Sequence, residues 1–155
     1  VETFQKLPDV NLTWVDTAQE RFPTHVPKDV DKLISATPAK LVKYAQPSAQ
    51  HLVLTYSHAL DLELCHALLA HQFGWAGLIG SKTKWSRFRS RLKELGHLEA
   101  QINRITCPIG QPEFGKHPHQ IAIGVATDYL SRKTAPARSR RKQDEQRFAK
   151  SDSSD

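Results

Sequence analysis

The sequence predicts an α/β fold, a doubly wound parallel sheet with crossover helices. Three observations lead there. Short apolar segments rich in β-formers alternate with amphipathic helical stretches, the pattern of strands joined by crossover helices. The segment at 75–79 passes through Gly80 and Ser81 directly into a helix. A glycine- and proline-rich loop at 107–117 then precedes a last helix, so elements of different period follow one another along the chain.

Residues 1–6 read as the end of an incoming helix, and 10–16 alternate as a strand ending on Asp16. Two prolines make 22–28 a loop; 29–42 are ambiguous, with one short strand near Leu33 to Ser35 and a helical turn after it. Residues 51–56 are a short apolar run suited to a buried strand. At 59–72 the period changes: Leu60, Leu64, Ala67, Leu68 and His71 share a helical stripe, and Gly74 supplies a stop. A third strand covers 75–79. Trp85, Phe88, Leu92 and Leu95 then make 81–95 the clearest helix, ended by Gly96. Residues 98–105 suggest a short helix, and Pro118 opens a helix over 118–131 with Ile121, Val125 and Tyr129 in one row beside Ala122, Ala126 and Leu130.

At 155 residues, with 39% hydrophobic and 25% charged side chains, the chain can bury one core. No apolar run is long enough to span a bilayer, so no membrane association is expected. Two cysteines are too few for a disulfide framework and favour a reducing cytoplasm. The net charge of +6 raises the question of nucleic acid. Half of that excess falls in 133–155, a polar tail that cannot bury enough surface to offset its ordering entropy and is expected to be disordered. The chain opens at Val1 and holds no methionine, so it reads as a fragment or a processed domain.

The sharpest local feature is the turn at Gly80, Ser81, Lys82 and Lys84. First-turn amides lack intrahelical partners and carry partial positive charge. Gly80 permits close approach, Ser81 is a natural N-cap, and the two lysines add full charges, so an anion, above all a phosphate, suits this turn. It is not a Walker A loop, because Trp occupies position 75 and Ser position 81. The competing reading is a well-capped helix with a solvated basic face. The further density of Arg87, Arg89, Arg91 and Lys93 would suit a phosphate backbone or an acidic protein. Yet the nearby aromatics, Trp85 and Phe88, belong to the apolar stripe and offer no stacking platform. Nucleic acid is therefore not the expected partner.

Asp16 ends a strand where acidic residues of dinucleotide folds meet the ribose 2′-OH, although an Asp there also suits a plain turn. Thr55 and His58 follow the 51–56 strand at the carboxyl edge; His58 suits a ligand contact, a proton relay or a plain helix start. Asp61 and Glu63 are read as partners of the helix dipole. Cys107 suits a soft ligand, a nucleophile or a small core residue, while Gly110 and Pro118 are explained by turn chemistry. No metal-ligand spacing, nucleophile elbow or carboxylate pair is present.

The order of these pieces resembles the C-terminal domain of the XdhC family. It is carried by Leu12 to Asp16, Phe22-Pro23, Thr55 to His58, Asp61, Gly77 to Lys82, Lys84, Phe88, Arg91-Leu92, Gly96, Cys107 to Gly110, and Lys116 with Pro118 and Ile121-Ala122. The resemblance spans 1–132 and implies a Rossmann-like fold. It also implies a cytoplasmic accessory chaperone, not an enzyme, that binds the molybdenum cofactor (molybdopterin, in some forms carrying a nucleotide). Such a chaperone works with a cysteine desulfurase during sulfuration and delivers the cofactor to xanthine dehydrogenase; it can act as a homodimer. Asp16, Thr55, His58, Gly80, Ser81, Lys82, Lys84, Cys107, Pro108, Ile109 and Gly110 are the cofactor-binding candidates. The alternatives are an oxidoreductase using a nicotinamide or flavin nucleotide, and a basic nucleic-acid-binding protein.

The chain departs from the family pattern in three ways. The first strand with its glycine-rich turn is absent ahead of residues 1–6, the companion N-terminal domain is absent, and Ala18 stands where an Arg is expected. In a doubly wound sheet the first strand is central. Its neighbours are expected to show open edges, and the chain to fold poorly alone unless another chain supplies that strand.

Overall fold

A computed structural model describes residues 1–134; the tail predicted to be disordered lies, from residue 135 on, outside the described residues. The chain divides into two units, residues 1–109 and residues 110–155. In the first, the order is α1 (Glu2–Gln5), β1 (Leu12–Asp16), β2 (Val30–Ile34), β3 (Gln50–Val53), α2 (His58–Leu69), β4 (Trp75–Leu78), α3 (Lys82–Glu94), α4 (Glu99–Ile102) and β5 (Ile105–Thr106). Every strand pairing is parallel. β1 lies beside β2 with Leu12 opposite Val30, and β3-β4-β5 form a second group with Gln50 opposite Trp75 and Ala76 opposite Ile105.

This is the doubly wound plan with a break in it. β1 is followed by β2 in one parallel group, and β3 by β4 and β5 in the other. A Rossmann sheet in the order 3-2-1-4-5-6 has its first strand at that break. Among the described residues β1 pairs with β2 alone and β3 with β4 alone, each leaving one edge without a strand. Val15 is 38% exposed and Leu54 56%.

The core lies between α2, α3 and the three-stranded group. Cys65, Leu68 and Leu69 of α2 meet Ala76 and Leu78 of β4, Phe88 and Leu92 of α3, Ile102 and Ile105. The α2 stripe differs by one residue from the one that periodicity predicts. The buried residues are Asp61, Cys65, Leu68 and Leu69, with Leu64 and Ala67 of the predicted stripe partly buried against the same core. The helix also ends at Leu69 with Ala70 as its cap, so Gly74 is not the stop. Its N–H instead donates to Ala49 O at 2.8 Å, at the entrance to β4.

Other boundaries differ from expectation for identifiable reasons. β2 runs over five residues where a shorter strand is expected, held by full pairing to β1. Residues 98–105 divide: helix α4 stops at Ile102, and Ile105 enters the sheet beside Ala76. A pattern of period 3.6 over so few residues cannot separate one buried isoleucine in a helix from one in a strand. Leu95, assigned by sequence to the α3 stripe, is the C-cap and is 50% exposed.

In the second unit, α5 (Pro118–Thr134) begins at Pro118 as predicted. The N–H of Gly110 donates to Asp128 Oδ2 at 2.7 Å and Gln111 Nε2 to Asp128 Oδ1 at 2.5 Å. Gly110 has φ +90°, a conformation that glycine adopts without penalty. Val125 and Ala126 are buried, while Ile121 and Leu130 of the predicted rows are exposed.

Candidate cofactor site

Ligands of open α/β sheets bind beyond the carboxyl ends of the strands where the winding reverses. Here that rim is formed by the ends of β1 and β3, with the end of β4 beside them.

At the end of β1, Asp16 accepts the N–H of Thr17 through Oδ1 at 2.7 Å, and Arg21 Nε lies 3.8 Å from the same oxygen. The position where an Arg is expected holds Ala18, but the short 3-10 helix Gln19–Arg21 brings a guanidinium back to the strand-end carboxylate. Arg21 also lies over the ring of Tyr56, 3.2 Å from its centroid, and Thr17 Oγ1 is 3.4 Å from Tyr56 Oη. These contacts bridge the rim across the break between β1 and β3.

At the end of β3 the strand stops at Val53, and Thr55 to Ser57 form a tight turn. Thr55 Oγ1 donates to Ser57 O at 2.9 Å, and Ser57 caps α2 by accepting the N–H of Leu60 at 3.3 Å. His58, the first residue of that helix, is exposed. Asp61 is 1% exposed. Its Oδ1 accepts the N–H of Thr55 at 2.9 Å and its Oδ2 accepts Lys84 Nζ at 2.7 Å.

At the end of β4, Ser81 is the N-cap of α3, as predicted: its Oγ accepts the N–H of Lys84 at 3.1 Å. Ser81 and Lys82 are exposed, and the amides of Lys82 and Thr83 belong to the first turn, which has no carbonyls behind it to accept them. Lys84 turns inward. Besides Asp61, its Nζ donates to Ile79 O at 2.9 Å. A Cβ on Gly80 would lie 2.6 Å from Lys84 Cδ, so glycine there leaves the lysine stem its course across the turn. Lys84 is thus engaged in joining the β3 and β4 ends, and Lys82 is the lysine left at the helix start.

Cys107 follows β5 and is half-buried. Burial pushes its thiol up to about 11, against a partial lowering by the Lys84 charge. Cys65 is pushed up to about 12 by burial first, then by the negative charge of Asp61. Both are held as thiols at neutral pH. Pro108 is exposed and Ile109 half-buried; Gly110 belongs to the second unit, where Asp128 holds its amide.

The rim therefore gathers Asp16 and Thr55 from the candidate set, and the start of α3 gathers Gly80, Ser81 and Lys82. Three residues that sequence reasoning assigns otherwise, or not at all, are central to the geometry. Asp61, expected as a dipole partner, is a buried ion-pair acceptor; its place in the row with Cys65 and Leu68 is the available signal. Arg21 and Tyr56 meet only through the tertiary fold, and no spacing announces them. The arginines of α3 are largely occupied by acids: Arg89 and Lys93 pair with Glu99, and Arg91 with Glu94 at 2.8 Å.

A solved structure from Bacillus halodurans, described as a xanthine dehydrogenase, superposes on this fold with a TM-score of 0.63 at 22% sequence identity. The match covers 82% of this chain and 37% of that one, so this chain corresponds to little over a third of its neighbour's length. No curated protein matches the chain significantly. The family model of the XdhC Rossmann domain matches residues 1–129. With the parallel order broken at its centre and the Gly-Leu-Ile-Gly-Ser turn at the start of α3, the chain belongs to the XdhC Rossmann-domain family.

Proposed function

We propose that the chain binds the molybdenum cofactor as an accessory chaperone, assisting its sulfuration and its insertion into xanthine dehydrogenase, and that it is not itself an enzyme. The single observation that carries this reading is the exposed, Ser81-capped start of α3 at the carboxyl end of β4. The donor set there fits the phosphate end of such a cofactor: two first-turn amides, the helix dipole and the Lys82 ammonium all favour an anion. Gly80, Ser81 and Lys82 would hold that phosphate, with Thr55 and Asp16 along the rim toward the rest of the molecule. When bound, the cofactor would supply the molybdenum centre, and these residues would hold it by its phosphate end.

Cys107 fits less directly. It packs against the core, and burial pushes its thiol up to about 11; a bound metal ion would itself draw the proton from a coordinating thiol. Lys84 and Asp61 act one layer below, fixing the two loops that shape the rim. The partners on this reading are xanthine dehydrogenase and a cysteine desulfurase, and the setting is the cytoplasm. Among the described residues no helix is long and apolar enough to cross a membrane.

A second reading, an oxidoreductase using a nicotinamide or flavin nucleotide, draws on Asp16 at the end of β1. The small molecules that purify with the protein decide between them. Mass spectrometry and absorption spectra are expected to show a pterin; NAD or FAD would favour the second reading. Lys82→Ala is expected to lower cofactor retention several-fold, and unchanged retention would remove the phosphate seat from the proposal.

A further inference from the structure

We infer that His66 and His97 form a two-histidine seat for a divalent first-row transition metal ion, on the surface between α2 and the turn that follows α3. Neither residue belongs to the cofactor rim. His66 lies in the second half of α2, and His97 follows the end of α3 opposite its Ser81 start.

The two rings turn ligating nitrogens toward each other. His66 Nδ1 lies 2.6 Å from His97 Nε2, with ring centroids 4.8 Å apart and planes at 70°. The residues stand 31 positions apart in the chain, so no spacing in the sequence announces them. Each is fixed at its backbone. His66 follows Cys65, which is 0% exposed in the core. Beyond α3, Gly96 adopts φ +96° and donates its N–H to Lys93 O at 2.9 Å, while the His97 N–H donates to Leu92 O at 3.1 Å. This is the paired closure of a helix C-terminus around a left-handed glycine, and Leu92 is itself 0% exposed. Core packing therefore holds both main chains and leaves the imidazoles to adjust, so little freedom is lost when an ion joins them.

A neutral imidazole offers a lone pair on one nitrogen and carries its proton on the other. With His66 protonated on Nε2 and His97 on Nδ1, both facing nitrogens offer lone pairs to one ion, and no net proton is released. Metal–nitrogen bonds of about 2.0–2.1 Å set two such nitrogens about 2.9 Å apart at a right angle and about 3.3 Å apart at a tetrahedral angle. From 2.6 Å the right angle needs the smaller opening, so the pair favours the octahedral or square-planar coordination of Ni²⁺ and Cu²⁺ over tetrahedral Zn²⁺. His66 is exposed and His97 half-buried, which lets water complete the shell. Among the described residues no group of three or more His, Cys, Asp or Glu is placed to hold a metal ion, so the seat is bidentate and the ion exchangeable. Mg²⁺, which takes oxygen ligands, finds nothing here to bind.

The test is calorimetric titration of the untagged full chain with NiCl₂, with ZnCl₂ and MgCl₂ in parallel. Ni²⁺ is expected to bind more tightly than Zn²⁺, and Mg²⁺ not at all. His66→Asn and His97→Gln should each weaken Ni²⁺ about tenfold or more, because the second bond is then no longer gained intramolecularly. The thermal transition of each variant shows whether it still folds. His117→Asn combined with His119→Gln removes another close histidine pair, stacked at 5.4 Å in the second unit, and should leave the titration unchanged. In the unaltered chain, paramagnetic Ni²⁺ should broaden the ring-proton NMR signals of His66 and His97 before those of the other histidines, a readout that no folding defect can mimic. Unchanged Ni²⁺ affinity in both single variants overturns the seat. So does loss of binding in the His117, His119 variant instead, or earlier broadening at other histidines.

Discussion

Lys84 Nζ lies 2.7 Å from Asp61 Oδ2, and the pair is almost sealed from solvent, with the lysine side chain 13% and the aspartate 2% exposed. Through it the N–H of Thr55 and the carbonyl of Ile79 are tied to one charged centre. The two loops that follow β3 and β4 are thereby fixed relative to each other at the rim where a ligand would sit. A buried ion pair is weak evidence of net stabilisation, but removing one partner strands the other charge.

That asymmetry gives the first prediction. Asp61→Leu alone and Lys84→Met alone should each destabilise the chain by about 3–5 kcal/mol, whereas the double variant should lie close to the parent. Urea unfolding of the three variants measures this. Single changes that cost under about 1 kcal/mol would mean that water reaches the pair and the loops are not held by it.

Ser81 separates a structural from a ligand role more cleanly than Lys84 does. As a cap whose Oγ accepts the Lys84 N–H, it should lose about 1 kcal/mol on replacement by Ala and only a few tenths on replacement by Gly. Ser81→Gly therefore keeps the helix while removing the hydroxyl. Its thermal midpoint should stay near the parent's, and a fall in phosphate affinity in that variant would report contact with the ligand itself.

How far the sequence speaks is visible in these two residues. Ser81 as N-cap is legible from strand, glycine and helix in succession, because capping is a local property of a few consecutive residues. Lys84 is not legible in the same way. Its charge is plain, but its direction depends on Asp61, 23 positions earlier, and on a turn whose Gly80 leaves the stem room. The same division holds for the fold. The long α3 pattern is legible, since it rests on periodicity. β5 is not, because two residues beside β4 carry no period of their own. The Arg21 and Tyr56 contact joins segments that only the tertiary fold brings together.

The thiols supply a third prediction. With Cys107 pushed up to about 11, roughly one molecule in a thousand carries the thiolate at pH 8, and the thiolate is the reactive form. Alkylation of Cys107 by iodoacetamide should be slow at pH 8 and rise about tenfold for each pH unit. Cys65, 0% exposed and pushed up to about 12, should stay unlabelled until the chain unfolds. Because the Lys84 charge lowers both thiols, Lys84→Met combined with Asp61→Leu should slow Cys107 further. Rapid labelling at neutral pH would show that burial does not govern this group.

His51 yields the last prediction. It sits in β3 with Nε2 buried and without a hydrogen-bond partner among the described residues, and its ring meets Phe73 edge-on at 6.5 Å. Burial lowers its pKa below 6.5, and the charge of His71 lowers it further. The unfolded chain therefore binds a proton at about pH 6.5 that the folded chain resists, so stability rises with pH through this window. The contribution is fully present above about pH 6.5 and is lost as pH falls toward the folded value. The thermal midpoint should thus drop between about pH 7.5 and about pH 5. His97, lowered by burial and by His66, acts with the same sign. His51→Leu should accordingly flatten the acid side of the curve without levelling it. A variant that keeps the parent's full slope would show that the proton is taken up elsewhere.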